Sequence, residues 1–252
     1  MTAGPLSAVA LDGIPEVRAG DDLAALLAAA LPGDLAAGDV VAVAHKVVSK
    51  AEGRTRRLAD IEPSARARQL AAEHRKDARV VEAVLAESAA VLRSGHGVLI
   101  CETRHGLVCA NAGVDRSNAA DPDELILLPR DPDGSARALR AGIATTRGVA
   151  PAVVISDSFG RAWRLGQTDV AIGAAGLRPL DDWRGRRDAR GRELQATAIA
   201  VADAIAAAAD LARAKDADQP AVLLRGLDRF VTRDDGPGAL SLRRPAADDL
   251  FR

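Results

Sequence analysis

The chain has no tyrosine, three phenylalanines and two tryptophans among its 252 residues. Its core must therefore be aliphatic, and about a fifth of the residues are alanine. Cysteine occurs only as Cys101 and Cys109, outside any CxxC or zinc-type spacing, so neither a disulfide framework nor a zinc site is expected. Their expected role is that of buried small hydrophobes. No apolar run approaches the roughly 20 residues that span a bilayer, and Met1 to Gly20 has neither a basic n-region nor an apolar h-region. A cytoplasmic protein without a membrane partner is the expectation. Charge of one sign is lacking too: 34 basic side chains face 35 acidic ones, mixed along the chain, for a net charge of -1. No sustained field exists to draw nucleic acid or anionic lipid, which leaves small molecules as the expected partners.

What is present is an ordinary globular balance of 48% hydrophobic and 27% charged residues, which excludes collagen-like, disordered and coiled-coil classes. The length fits one large domain or two small ones. Of the 34 basic residues only Lys46, Lys50, Lys76 and Lys215 are lysine, leaving 30 arginines. Where such a chain keeps lysine, a compact point charge is wanted in place of a planar fork, as for a phosphate oxygen.

Asp21 or Asp22 should cap an Ala/Leu helix that stops at Pro32-Gly33, and Val40 to Ala44 reads as a buried strand. Pro63 can start a helix to about His74. Asp77 can cap a second, with Val80, Val81, Val84, Leu85, Val91 and Leu92 as one apolar stripe. Val98–Cys101 and Leu107–Cys109 read as a hairpin that delivers the loop from Asn111 to Asn118. A helix over Ser135–Thr146 precedes a strand over Ala152–Ile155, which ends at Ser156-Asp157-Ser158 before a Phe159-Gly160-Arg161 turn. A long Ala-rich helix is expected from Leu194 to Ala214, then a polar loop and the strand Ala221–Leu224. The tail from Asp228 receives no regular structure.

The sequence has no GxxxxGK[ST], no GxGxxG after a strand, no GxSxG and no HExxH, which excludes a Walker loop, a Rossmann site, a serine hydrolase elbow and a zincin. Asp131-Pro132-Asp133-Gly134-Ser135 has the look of a calcium loop, but Gly142 stands where the bidentate Glu is needed, so it reads as a turn and helix cap. The remaining chemistry-bearing set comprises Asp115 and Asn118 in one loop, Asp157 and Ser158 at a strand end, Lys50 after a buried strand and Lys215 after a helix. Hard oxygens with lysines suit Mg or Mn together with phosphates. Taken singly, each reads first as a capping or turn residue or a solvated lysine, since that is what loop Asp, Asn and Lys usually are.

The strings Val47-Val48-Ser49-Lys50-Ala51-Glu52-Gly53-Arg54, Asn111-Ala112-Gly113-Val114-Asp115-Arg116-Ser117-Asn118, Ile155-Ser156-Asp157-Ser158-Phe159-Gly160-Arg161 and Ala171-Ile172-Gly173-Ala174-Ala175-Gly176 occur in this order. With them the chain closely resembles the coenzyme F420:L-glutamate ligase (F420-0:gamma-glutamyl ligase) family, from Gly13 through Gly226 to the Arg252 end. The resemblance implies an α+β fold with a mixed sheet, an intertwined homodimer, and a stand-alone ligase domain over 1–252 without a C-terminal nitroreductase-like domain. It implies GTP as cosubstrate, Mg or Mn, a monovalent cation such as K, and the F420-0 precursor and L-glutamate as substrates joined through an acyl phosphate.

Residue by residue, the resemblance places Ile14, Pro15, Glu16, Val17, His45, Lys50, Asn118 and the loop Arg213, Ala214, Lys215, Asp216, Ala217, Asp218 and Gln219 on GTP. Asp115, Asp157 and Ser158 are the implied metal ligands, and Asp115, Asp157 and Lys50 the implied catalytic residues. Arg161, Arg164, Arg186 and Arg187 supply forks suited to substrate carboxylates and a phosphodiester. The chain departs from the family pattern at His45 (often Ser), Ala214 (usually Gly) and Arg190 (often aromatic). The competing readings are a catalytically degenerate deazaflavin-binding partner and a ligase for a related precursor variant. Against the first stands the joint retention of Asp115, Asp157 and Lys50.

Overall fold

The computed structural model describes residues 5–117, 121–214 and 216–250. Its elements, in chain order, are β1 (Ser7–Ala10), α1 (Leu23–Ala30), β2 (Val40–Ala44), α2 (His45–Ala51), β3 (Thr55–Arg57), α3 (Ala65–His74), α4 (Ala78–Glu87), β4 (Ser88–Gly95), β5 (Val98–Thr103) and β6 (Val108–Ala110). There follow β7 (Glu124–Ile126), α5 (Pro132–Arg147), β8 (Ala152–Arg161), β9 (Arg164–Ala175), β10 (Leu180–Asp182), β11 (Ala198–Ala200), α6 (Val201–Ala212) and β12 (Ala221–Arg225). The fold is α+β with a mixed sheet.

The main sheet runs β1-β12-β2-β8-β9, with β2 and β8 parallel and the other pairs antiparallel. Period-2 alternation sends Val41, Val43, Val153, Ile155 and Leu223 to one face, where Leu27 of Asp22-capped α1, Leu31 at its end, and Leu139 and Ile143 of α5 cover them. Val40, Ala42, Val154, Val222 and Leu224 point to the other face and meet Val201, Ala202, Ile205, Ala206 and Ala209 of α6. A sheet covered on both faces needs strands without polar alternation, which is why VVAVA and AVLLR read as continuous apolar runs. Alanine on α6 allows that helix to lie close on the sheet.

A smaller layer packs α3 and α4 on the sheet β4-β5-β6 around Ala71, Val81, Val84, Leu99 and Cys101. Cys101 and Cys109 face each other across the β5–β6 hairpin, both buried and both free thiols. Burial pushes the Cys109 thiol up to about 12, with the neighbouring Asp157 and Cys101 adding to it. It is a packing residue, as the sequence suggests. Asp131 caps α5 through the Gly134 amide, the role read for that loop.

Three expectations are corrected. α4 stops at Glu87, and Val91 and Leu92 belong to β4, because residues from Ser88 pair with β5 rather than extending the helix. Leu194 to Ala200 is not helical: β11 pairs with β10, and α6 begins only at Val201. Phe159-Gly160-Arg161 is not the turn, since β8 runs to Arg161 and the reversal falls at Ala162-Trp163. Helix α2, for which the sequence reading gave no assignment, starts at His45 directly after β2. Among the described residues no helix is long and apolar enough to cross a membrane.

Candidate active site

The carboxyl ends of two neighbouring parallel strands are where ligands enter open sheets of this kind. Here Ala44 at the end of β2 pairs with Ser156 of β8, so the next residues, His45 opening α2 and Asp157 continuing β8, stand side by side. His45 Nε2 lies 3.3 Å from Asp157 Oδ1. Two other segments reach the same edge. Pro220 precedes β12 and accepts from the Ala44 amide at 2.8 Å, and the Leu11 amide after β1 donates to Ala221 at 2.9 Å. These contacts bring in the strap Ile14–Val17 and the loop after α6. Together they enclose a cleft of about 640 Å³ lined by Ile14, Pro15, Glu16, Val17, Ala44, His45, Lys46, Val47, Lys50, Ser156, Asp157, Ser158, Asp169, Arg213, Ala214, Asp218, Gln219 and Pro220.

Helical spacing explains its cationic wall: Lys46 and Lys50 are four residues apart on α2 and so share one face. Lys50 is buried, and its Nζ donates to Glu16 Oε1 at 2.6 Å. His45 and Ser49 make the parallel pair behind them, Nδ1 to Oγ at 3.4 Å, while the buried His45 Nε2, close to Asp157 as an ion-pair contact, has no hydrogen-bond partner among the described residues. Lys46 Nζ lies 2.8 Å from Asp115 Oδ2 and also donates to Ser117 Oγ. Burial works to raise the Asp115 carboxyl, but Lys46 and the Ser117 amide and hydroxyl outweigh it and hold it below the usual carboxylate range.

The opposite wall is the base of the long β8–β9 hairpin. Asp169 on β9 stands opposite Ser158 in the register and is 1% exposed. Its Oδ2 accepts from Ser156 Oγ at 2.7 Å and from Arg213, and its Oδ1 accepts from Ser158 Oγ at 2.6 Å. Asp157 Oδ1 accepts from the Ser158 amide at 2.8 Å. Gln219 closes the loop by donating to Asp12 at 2.6 Å.

Of the residues singled out from the sequence, Ile14 to Val17, His45, Lys50, Asp157, Ser158, Arg213, Ala214, Asp218 and Gln219 all line this cleft. Asp115 does not line it but is joined to it by Lys46. Asp216 and Ala217 are exposed on the same loop beyond the lining. Asn118 and Lys215 lie outside the described residues. The four arginines are elsewhere on this chain: Arg161 and Arg164 are exposed at the hairpin tip, and Arg186 and Arg187 are exposed on the arm between β10 and β11. Arg186 stacks 5.0 Å above the Trp183 ring. Sequence reasoning missed Asp169, Ser156 and Lys46 as site residues. The signal for Asp169 was a lone carboxylate entering the apolar run of β9. For Lys46 it was the retention of lysine in an arginine-using chain.

The donor set can be set against the divalent metal that the resemblance implies. Among the described residues no three His, Cys, Asp or Glu side chains converge into a cage. Asp157 offers a carboxylate, and Ser158 a hydroxyl whose proton is committed to Asp169, leaving its lone pairs to the cleft. One or two carboxylates with oxygen donors, completed by phosphates and water, fit Mg²⁺ or Mn²⁺ and do not fit a zinc centre.

A model of the F420-0:gamma-glutamyl ligase family matches residues 13–226, a span holding every cleft-lining residue. The chain is 45% identical over 251 residues to the coenzyme F420:L-glutamate ligase of Methanothermobacter thermautotrophicus, covering 98% of this chain and 99% of that one. It is 46% identical over 254 residues to that of Methanopyrus kandleri, covering 99% and 100%. To that of Haloarcula marismortui it is 44% identical over 250 residues, covering 96% and 94%. On the family match and this near-complete coverage, the chain belongs to the F420-0:gamma-glutamyl ligase family.

Proposed function

We propose that this chain is a GTP- and divalent-metal-dependent ligase that adds L-glutamate to the coenzyme F420-0 precursor, and then further glutamates through gamma-linkages, in coenzyme F420 biosynthesis. The observation that carries the reading is the single cleft that joins the Lys50 ammonium, the Asp157-Ser158 oxygens and the loop after α6, in a chain that matches ligases of that name over almost its whole length.

A carboxylate is a poor acylating agent, so the acid must first be activated. In the proposed reaction a precursor carboxylate oxygen attacks the γ-phosphorus of GTP, the bond to the GDP oxygen breaks, and an acyl phosphate forms. The glutamate amine, having given up a proton, attacks its carbonyl and inorganic phosphate leaves. Such transfers depend mainly on positioning and charge neutralisation. Bound Mg²⁺ or Mn²⁺, held by Asp157 and Ser158 with Asp115 nearby, would supply Lewis-acid neutralisation of phosphate charge. Lys50 would exchange its exposed partner Glu16 for a phosphate oxygen, and Lys46 would bring a second ammonium to the same wall. The strap Ile14–Val17 and the loop Arg213–Gln219 would flank the nucleotide. The four arginines would meet the acid substrate if hairpin and arm reach a second copy of the chain.

That second copy is part of the reading. The hairpin tip carries Trp163, 85% exposed, and Leu165, 95% exposed, in a chain with few aromatics, and this supports a homodimer in which the tip is covered.

The route is tested with precursor carrying heavy oxygen in its carboxylate. One label is expected in the released inorganic phosphate by phosphorus NMR, with GDP as coproduct. GMP and pyrophosphate, or unlabelled phosphate, would overturn the acyl-phosphate step.

A further inference from the structure

Asp169 is the most buried charge in the cleft wall, and its partners are not a random set. Ser156 and Ser158 are alternate residues of β8 and present their hydroxyls to it on one face, and Arg213 opens the loop after α6. Arg213 Nη2 also reaches Ser156 Oγ at 3.3 Å, which closes a ring of three side chains, Asp169, Ser156 and Arg213, with Ser158 attached to it through Asp169. A carboxylate accepts and cannot donate, so both serine protons are fixed toward Asp169. A hydroxyl whose proton is spent behind it has only lone pairs to offer in front.

We propose that Asp169 is a positioning residue: it orients the Ser158 hydroxyl as an acceptor toward the cleft and, through Arg213, locks the start of the loop after α6 to the same hairpin. The inference rests on the reading of this cleft as a metal–nucleotide site. In that reading Asp169, whose carboxylate oxygens accept from Ser156, Ser158 and Arg213, acts through Ser158 and Arg213 and is not itself a ligand. The arrangement is that of a carboxylate behind a metal ligand, where loss of the supporting group typically costs 10- to 100-fold in metal affinity. Asn at this position keeps the shape but places an NH₂ where an oxygen was. One hydroxyl must then turn its proton into the cleft, and Arg213 loses its counter-charge.

The test uses the full chain loaded with GTP, with Mn²⁺ affinity read by electron paramagnetic resonance and GTP affinity without metal read by calorimetry. Asp169→Asn is expected to weaken Mn²⁺ binding about 10- to 100-fold while metal-free GTP affinity stays within about threefold. Ser158→Ala should match it, and the double variant should be no worse than the weaker single one, since both remove the same arrangement. Wild-type Mn²⁺ affinity in Asp169→Asn, or full additivity with Ser158→Ala, would overturn the proposal. Should Asp169→Asn fail to fold, Ser158→Ala and Ser158→Thr decide. Thr keeps the hydroxyl and should retain Mn²⁺, and undiminished binding in Ser158→Ala overturns the proposal with Asp169 intact. A wild-type chain whose GTP binding does not respond to Mn²⁺ would instead refute the metal–nucleotide reading itself, before any variant is made.

Discussion

At the scale of single residues, the cleft depends on which charges have partners and where those partners sit. Lys50 is buried, but Glu16 across from it is more than half exposed, so removing the lysine strands no buried carboxylate. Lys50→Ala should therefore fold normally and lose nucleotide. A charge-assisted phosphate contact contributes about 1.5–3 kcal/mol, so GTP affinity by calorimetry should fall roughly 10- to 150-fold, and unchanged affinity would remove Lys50 from the site. Lys50 and Asp157 were legible because they stand in long ordered motifs. Asp169 was not, because what distinguishes it is the register that sets it opposite Ser158 and the arrival of Arg213 from 44 positions away.

At the scale of elements, the β8–β9 hairpin carries the site at its base, and a bulge there is held from outside. The register slips between Ile155 and Ser156 against Gly173 and Ala171, and Asp203 of α6 accepts from the Ala171 amide at 2.9 Å. Burial raises the Asp203 carboxyl, and the amide bond opposes it only in part. With the folded pKa above the unfolded one, the stability this group contributes is fully present below the unfolded carboxyl pKa and is lost as pH rises through the folded value. Asp203→Asn keeps an acceptor for Ala171 and removes the buried charge. It should raise the Tm at pH 7 by about 1–3 °C and lose that advantage below about pH 4. A lower Tm at both pH values in thermal melts followed by circular dichroism would refute this account of the bulge. The elements misread from sequence share a cause: β4 and β11 have helix-compatible Ala-rich sequences, and pairing with β5 and β10 overrides that weak preference.

For the whole molecule, the exposed Trp163-Leu165 tip is the feature a lone chain leaves unexplained. Trp163 also has φ of 68°, a strained value for a bulky residue. If a second copy covers the tip, light scattering should give twice the 26.1 kDa chain mass, and Leu165→Asp should shift the population to monomer at micromolar concentration. The substituted side chain is 95% exposed in the isolated chain, so the Tm of the monomer itself should be unaffected. A monomeric wild type would remove the dimer from the proposal, and with it the route by which Arg161 and Arg164 reach a substrate.

The sequence by itself determined the aliphatic core, the buried strand Val40–Ala44, the strand Ala221–Leu224, a cap at Asp21 or Asp22, the cap in the Asp131 loop, and the motifs that carry Lys50 and Asp157. Those features are local: apolar runs, capping chemistry and ordered strings are complete within a few residues. Only the tertiary structure decided that β2 and β8 lie parallel and end together, which sets His45 beside Asp157. It alone bound Asp115 to Lys46 and gathered Ser156, Ser158 and Arg213 on Asp169. Such pairings depend on register and on long chain closures, which no window of sequence contains; a one-residue slip of β8 against β9 would by itself turn the two serines away from Asp169.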